Sequence, residues 1–201
     1  MSSEKEWVRL LQTRLEGELL APEAMPPDNE PRQVRMEAGR RLTYAHEILK
    51  YNLDEPIRTH SAKYETDLLF YDACENSDWI PRVVLECKQG SVTTHDALTY
   101  STKAETHKKV HPFLRYGILV GAWGGTAVPG RLIRHGAYFD FMMVWEFSEP
   151  GAGEWRDFVD LIRLEIEASR RMQMLLMESR TRGRQRFRLL HRPLRLVAAD
   201  G

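Results

Sequence analysis

An α/β fold with a mixed sheet flanked by helices is what this sequence predicts, and three observations predict it. Apolar residues recur with helical spacing at both ends of the chain, short apolar runs bounded by turn residues occupy its middle, and a capped helical stretch separates two of those runs. The 201 residues suit a single domain, read as an N-terminal helix and Pro-rich linker over 1–31, a core over 33–147, a helix over 154–179 and a basic tail over 180–201.

Trp7, Leu10, Leu11, Leu15 and Leu19 mark a helix over Met1 to Leu20, ended by the four prolines from Pro22 to Pro31. Ala38, Leu42, Ala45, Ile48 and Leu49 repeat that spacing and predict a second helix over Gln33 to Tyr51, with Glu47 near its end. Tyr64 to Ala73 is dense in apolar and aromatic residues, as a strand covered on both faces requires. Glu75 to Asp78 supplies a turn. Arg82 to Cys87, too short for a helix and bounded by Pro81 and Gly90, is a second strand that completes an antiparallel hairpin. Thr93 or Thr94 can cap the next helix, and with Thr93 as the cap Asp96, three residues on, completes a capping box. That helix runs from His95 to Val110 and is stopped by Pro112. Tyr116 to Gly121 is a buried strand, Gly124 to Gly136 a flexible loop and Tyr138 to Phe147 a further strand. The last helix, Glu154 to Ser179, carries Phe158, Leu161, Ile162, Glu165, Ile166 and Ser169 at helical spacing.

Composition excludes several classes. With 42% hydrophobic and 29% charged residues the chain is a folded protein rather than a disordered one. Its longest apolar stretches fall far short of the roughly 20 residues that cross a bilayer, and charges throughout Met1 to Leu20 leave no secretory h-region. A cytoplasmic protein with no membrane partner is expected. Cys74 and Cys87 are too few for a disulfide framework and are read as reduced thiols. Lys+Arg and Asp+Glu are both 29, so no global charge advertises a partner, but Arg180 to Arg195 holds seven arginines and no acid. In that segment Arg182, Arg184, Arg186 and Arg188 alternate along the chain and are candidate phosphate contacts.

The chemistry centres on the strand ending at Lys88. Side chains alternate along a strand, so Glu86 and Lys88 project to one face while Leu85 and Cys87 project to the other. Such charges are costly within a sheet covered on both sides unless they are paired or hold a cation. An antiparallel return brings Asp67 beside Glu86, and two converging carboxylates with the backbone carbonyl of Cys87 suit a hard divalent cation, Mg²⁺ or Mn²⁺, better than zinc. The competing readings are a salt-bridged strand edge emerging into solvent for Glu86 and Lys88, a turn or cap role for Asp67 and a solvated helix face for Glu47.

Thr66-Asp67 followed nineteen residues later by Glu86-Cys87-Lys88 resembles the PD-(D/E)XK motif of restriction-endonuclease-like nucleases, with Thr66 where the name has Pro. The resemblance covers about Leu42 to Phe147. It implies a restriction-endonuclease-like core with N- and C-terminal helical additions. It also implies that Asp67 and Glu86 bind metal, that Lys88 positions or deprotonates the attacking water, and that an acidic residue on the first core helix assists, a place Glu47 takes. The expected activity is Mg²⁺-dependent cleavage of DNA, with Mn²⁺ a substitute, by a restriction-type endonuclease acting in defence as a homodimer. A nicking or repair nuclease, alone or with a partner subunit, and a non-catalytic DNA-binding or scaffold protein are the alternatives.

Other residues sort by spacing. Tyr100, Lys103 and His107 share one helix face and are read as a DNA contact or a lining of the site, against a plain solvated face. His95, His107 and His111 lack the spacing of a zinc set. Gly121, Gly124, Gly125 and Gly130 are not a phosphate-binding loop, since no Lys-Ser or Lys-Thr follows. Met172, Met174 and Met177 are read as packing or an oligomer contact.

Overall fold

The apolar runs in the middle of the chain pair into a five-stranded mixed sheet of order β1-β4-β5-β6-β7. Its strands are β1 (Gln33–Ala38), β4 (Leu68–Ala73), β5 (Trp79–Gln89), β6 (Arg115–Gly121) and β7 (Phe141–Val144). β1, β4 and β5 run antiparallel, whereas β5, β6 and β7 run parallel. β2 (Arg41–Asn52) and β3 (Glu55–Glu65) form a separate antiparallel ribbon inserted between β1 and β4. Among the described residues four α-helices complete the α/β fold: α1 (Glu4–Leu19), α2 (Thr94–Val110), α3 (Gly130–His135) and α4 (Ala152–Glu178). The computed structural model describes residues 3–19, 33–125, 127–178, 180, 188–190 and 194–197. Among them no helix is long and apolar enough to cross a membrane.

The sheet is covered on both faces. Trp7, Leu11 and Leu15 of α1 join Phe158, Ile162 and Ile166 of α4 over Leu68, Phe70, Leu85 and Cys87. On the other face Leu69, Val84, Tyr116, Ile118 and Val120 meet Ala97 and Ala104 of α2 and Leu132 of α3. Small residues on α2 let its backbone approach the sheet, and the expected capping box is formed: Thr93 Oγ1 accepts from the Asp96 N–H while the Asp96 carboxylate accepts from the Thr93 N–H. α1 is seated through Gly121, where an added Cβ would lie 2.4 Å from the Trp7 ring. That close approach sets the first turn of α1 over the carboxyl ends of β5 and β6.

The expected helix over Gln33 to Tyr51 is corrected to β1, a turn and β2. Gly39 breaks the segment with a φ of +73°, and β1 satisfies its backbone groups on the edge of β4. Of the helically spaced residues in the ribbon only Leu42 is buried; Ile48 and Leu49 are exposed. Their spacing reflects coincidence, and pairing with partners distant in sequence overrides it. Tyr64 to Ala73 is likewise two strands interrupted at Thr66 and Asp67, Gly124 to Gly136 holds α3, and the last strand is shorter than expected.

A buried charge cluster ties α4 to the sheet. Asp72 and Arg82 are fully buried; Arg82 Nε donates to Asp72 Oδ2 at 2.7 Å, and Arg170 of α4 reaches Asp72 Oδ1 at 2.6 Å. Asp72→Ala removes the carboxylate that both guanidinium groups hold, and the expected loss is about 3–5 kcal/mol of unfolding free energy in urea titrations.

Candidate active site

β4 and β5 pair with Leu68 opposite Leu85, so one further step along the ladder sets Asp67 opposite Glu86. Asp67 is held there by its neighbour. Thr66 Oγ1 donates to the Arg40 carbonyl at 2.8 Å, the Thr66 N–H donates to the same carbonyl, and the Gly39 N–H donates to the Thr66 carbonyl at 3.0 Å. The Cys87 N–H then donates to Asp67 Oδ2 at 2.8 Å. Thr66 thus fixes the chain just before Asp67.

Glu86 is 1% exposed on the α2 face of β5. The Tyr116 hydroxyl donates to Glu86 Oε1 in a short hydrogen bond, and Lys103 Nζ stands 3.7 Å from the same oxygen. Burial and the adjacent Asp67 carboxylate raise the Glu86 pKa to about 8 against the opposing pull of Lys103 and Tyr116. Lys88 is half-buried, its Nζ 3.8 Å from Glu4 Oε2 and 5.7 Å from the Tyr100 ring centroid. Burial works to lower its pKa, but Tyr100 and Glu4 outweigh it and hold the ammonium above its ordinary value. Lys88 is therefore a fixed positive charge.

Of the expected site residues, Asp67, Glu86, Lys88, Tyr100 and Lys103 are brought together. Lys103 lies 5.1 Å from the Tyr100 ring centroid, beside Glu86. His107 is fully buried behind them, stacked on Tyr116 at 5.7 Å, with its nitrogens facing the Lys103 and Leu42 carbonyls. Burial lowers its pKa to about 4 despite those carbonyls. It is neutral packing, not the surface contact expected. Glu47 sits exposed on β2 opposite His60, and among the described residues no contact joins it to Asp67 or Glu86. Arg182, Arg184 and Arg186 lie outside the described residues; Arg188 is exposed.

Two participants had no readable signal. Glu4, in the first turn of α1, faces Lys88 and accepts from the Gln89 N–H at 3.3 Å; an acid in a first helical turn otherwise reads as a complement to the helix dipole. Tyr116 reads as one more apolar residue of a buried strand. Glu4, rather than Glu47, is the acidic residue that a helix brings to the site.

The donor set fits a hard cation. Asp67 and Glu86 offer carboxylate oxygens, and strand geometry sends the Cys87 carbonyl to the same edge as its N–H, beside Asp67. Among the described residues no group of three or more Asp, Glu, His or Cys side chains is placed to hold a metal ion. A pair of carboxylates suits Mg²⁺, which keeps several waters and takes one or two carboxylates with phosphate oxygens. The raised Glu86 pKa fits as well, since the carboxylate pair retains near neutrality a proton that a divalent cation would displace. No protein-family model and no curated protein matches this chain.

The pH dependence follows in sign. A folded pKa of about 8, above the ordinary carboxylate value, adds stability at low pH that is lost as pH rises through about 8. Melting temperatures in EDTA should fall for the wild type relative to Glu86→Gln between pH 5 and 8.5, the range set by that shift. Mg²⁺ should raise the wild-type value more at pH 8 than at pH 6. Parallel curves for the two proteins would contradict the buried-acid assignment.

Proposed function

We propose that this chain is a metal-dependent deoxyribonuclease of the PD-(D/E)XK type with a restriction-endonuclease-like core. The observation that carries the reading is Asp67 set opposite buried Glu86 with Lys88 two residues on, at the point where the chain enters β4. The order α1, β1, β4, β5, α2, β6 around that point supports it, and Glu4 supplies the acid on the first helix that the resemblance implies.

Asp67, Glu86 and the Cys87 carbonyl would hold Mg²⁺, or Mn²⁺ in its place, which when bound polarises a phosphate oxygen and lowers the pKa of a bound water. Tyr116 and Lys103 orient the Glu86 carboxylate and offset its charge. Glu4 and Tyr100 fix the Lys88 ammonium, which orients the attacking water and balances charge developing on the phosphate. Attack in line leaves a 3′-hydroxyl and a 5′-phosphate, the outcome the resemblance implies. Double-strand cleavage, in a restriction or defence role, requires two such sites, and a two-fold homodimer supplies them. Leu164, Met174 and Met177 expose apolar surface on α4 for that contact.

The test is incubation of plasmid DNA with the protein in Mg²⁺, in Mn²⁺ and in EDTA, with cut ends mapped. Asp67→Asn, Glu86→Gln and Lys88→Ala should each lower the cleavage rate by about 10²-fold or more, the scale of removing one preorganised electrostatic group. Wild-type turnover by any of them defeats the assignment. A chain that binds DNA but never cuts it is the non-catalytic alternative.

The two acids assigned to one role separate cleanly. Glu4→Gln should lower the single-turnover rate with little change in DNA affinity, because it loosens Lys88. Glu47→Gln should match the wild type across metal concentrations; the reverse pattern would restore Glu47.

A further inference from the structure

We propose that Lys103 changes partners during the work of the site: it answers Glu86 in the protein without metal, and it passes to an oxygen of the scissile phosphate once Glu86 takes a divalent cation. The phosphate rests on the nuclease reading, whereas the exchange at Glu86 does not. Lys103 would then be a second ammonium in contact with substrate, and metal and DNA would bind cooperatively through it.

The two lysines at the site differ in how they are held. Lys88 lies between Glu4, 3.8 Å away, and the Tyr100 hydroxyl, to which its ammonium donates. Lys103 Nζ stands 3.7 Å from Glu86 Oε1, inside the range of an ion pair but beyond that of a hydrogen bond. An ammonium carries three donors, and among the described residues none of those on Lys103 meets an acceptor. The Tyr100 and Tyr64 ring centroids, 5.1 Å and 5.9 Å from Nζ, keep the head at the site. The root is fixed more firmly. The Lys103 carbonyl accepts from the Thr106 hydroxyl at 2.9 Å and faces His107 Nδ1 at 3.1 Å, and the next residue, Ala104, is buried in the core under α2. With its root pinned and its head loosely held, the side chain can exchange partners by rotamer changes alone.

Charge selects the new partner. Among the described residues Glu86 is the one acid within ion-pair range of Lys103. Asp67 and Glu86 together balance a single divalent cation, so a cation held by both leaves the Lys103 charge unanswered and repels it at close range. A phosphate oxygen is then the acceptor of opposite sign that the three donors lack. Lys88 undergoes no such change, because Glu4 stays beside it whichever partner Glu86 has. Lys88 therefore holds its position, and Lys103 is the cation made available when metal arrives.

The first experiment follows Mn²⁺ binding to the full chain without DNA, by loss of the free-ion paramagnetic resonance signal. Lys103→Met, which keeps an apolar stem against the tyrosines, should bind Mn²⁺ about tenfold more tightly than the wild type, the scale of lifting one charge from about 4–6 Å. Lys103→Gln should show the same gain, and Lys103→Arg, which keeps the charge, should stay near the wild type. Unchanged or weaker Mn²⁺ binding by the Met and Gln variants overturns the exchange and leaves Lys103 as a group that only orients Glu86. So does a wild type that takes up no Mn²⁺. The second experiment measures affinity for a short labelled duplex by fluorescence anisotropy, in EDTA and in Mn²⁺, with Lys88→Ala in every protein to keep the duplex whole. Adding Lys103→Met should weaken binding by about tenfold in Mn²⁺, the scale of one charged hydrogen bond, and leave it nearly unchanged in EDTA. An equal loss in both solutions, no loss in either, or no duplex binding at all overturns the passage to phosphate. Plasmid cleavage by the wild type is read in parallel. Both results as expected without cleavage remove the nuclease and keep the exchange, whereas cleavage with either result reversed does the opposite.

Discussion

The register between β4 and β5 is the constraint on which the remainder depends. Leu68 opposite Leu85 and Leu69 opposite Val84 place apolar side chains on both faces, and α1 and α4 cover one face while α2 covers the other. A slip of one residue would exchange those faces along the whole strand and is excluded by the loss of both cores. The same register sets Asp67 against Glu86. The site is thus an outcome of core packing: apolar burial supplies the energy that holds two acids at close quarters.

Two buried acids on this sheet show how structure and function part. Asp72 and Glu86 are both inaccessible, but their partners differ. Asp72 is held by Arg82 and Arg170, so its charge is answered within the fold. Glu86 faces Asp67, a second acid, and among the described residues is answered by the longer contact with Lys103 and by the Tyr116 hydroxyl. Burial of an acid alone does not mark a site, since structural ion clusters bury acids too. An acid whose pKa is raised by its burial and by a second acid beside it is retained against stability and has use for a cation.

Legibility in the sequence followed the range of the interactions. α1, α2 and α4 were readable because their stripes and the Thr93–Asp96 box act within a turn or two. The central strands were readable as apolar runs, and the spacing of Asp67, Glu86 and Lys88 supplied the motif. β2 was not, because its alternation is interrupted by bulges near Tyr44 and Leu49 and its outer half has no buried face to impose a period of two. Without that period, Leu42, Ala45, Ile48 and Leu49 imitate a helix. Glu4 was invisible for a different reason: its value depends on where Trp7 seats against Gly121, a contact between segments more than a hundred residues apart.

The root of the ribbon reconciles an exposed arm with an exact site. Arg40 precedes β2 and Thr66 follows β3, and the two are joined by the Thr66 N–H and hydroxyl, both donated to the Arg40 carbonyl. The Gly39 N–H, shared between the Thr66 and Asp67 carbonyls, closes the clasp from the β1 side. Leu42, packed in the core formed with α2, anchors the second residue pair outward, opposite Tyr64. Beyond this pair the Tyr44 and Tyr64 rings stack at 3.8 Å, and every residue from His46 through Ser61 is exposed. Local opening concentrates where buried apolar contacts are few, which here is the arm. The carboxylate two residues from the ribbon's end is held by hydrogen bonds among Gly39, Arg40, Thr66 and Asp67, the links between the sheet and the ribbon, and none of them is made to the outer arm.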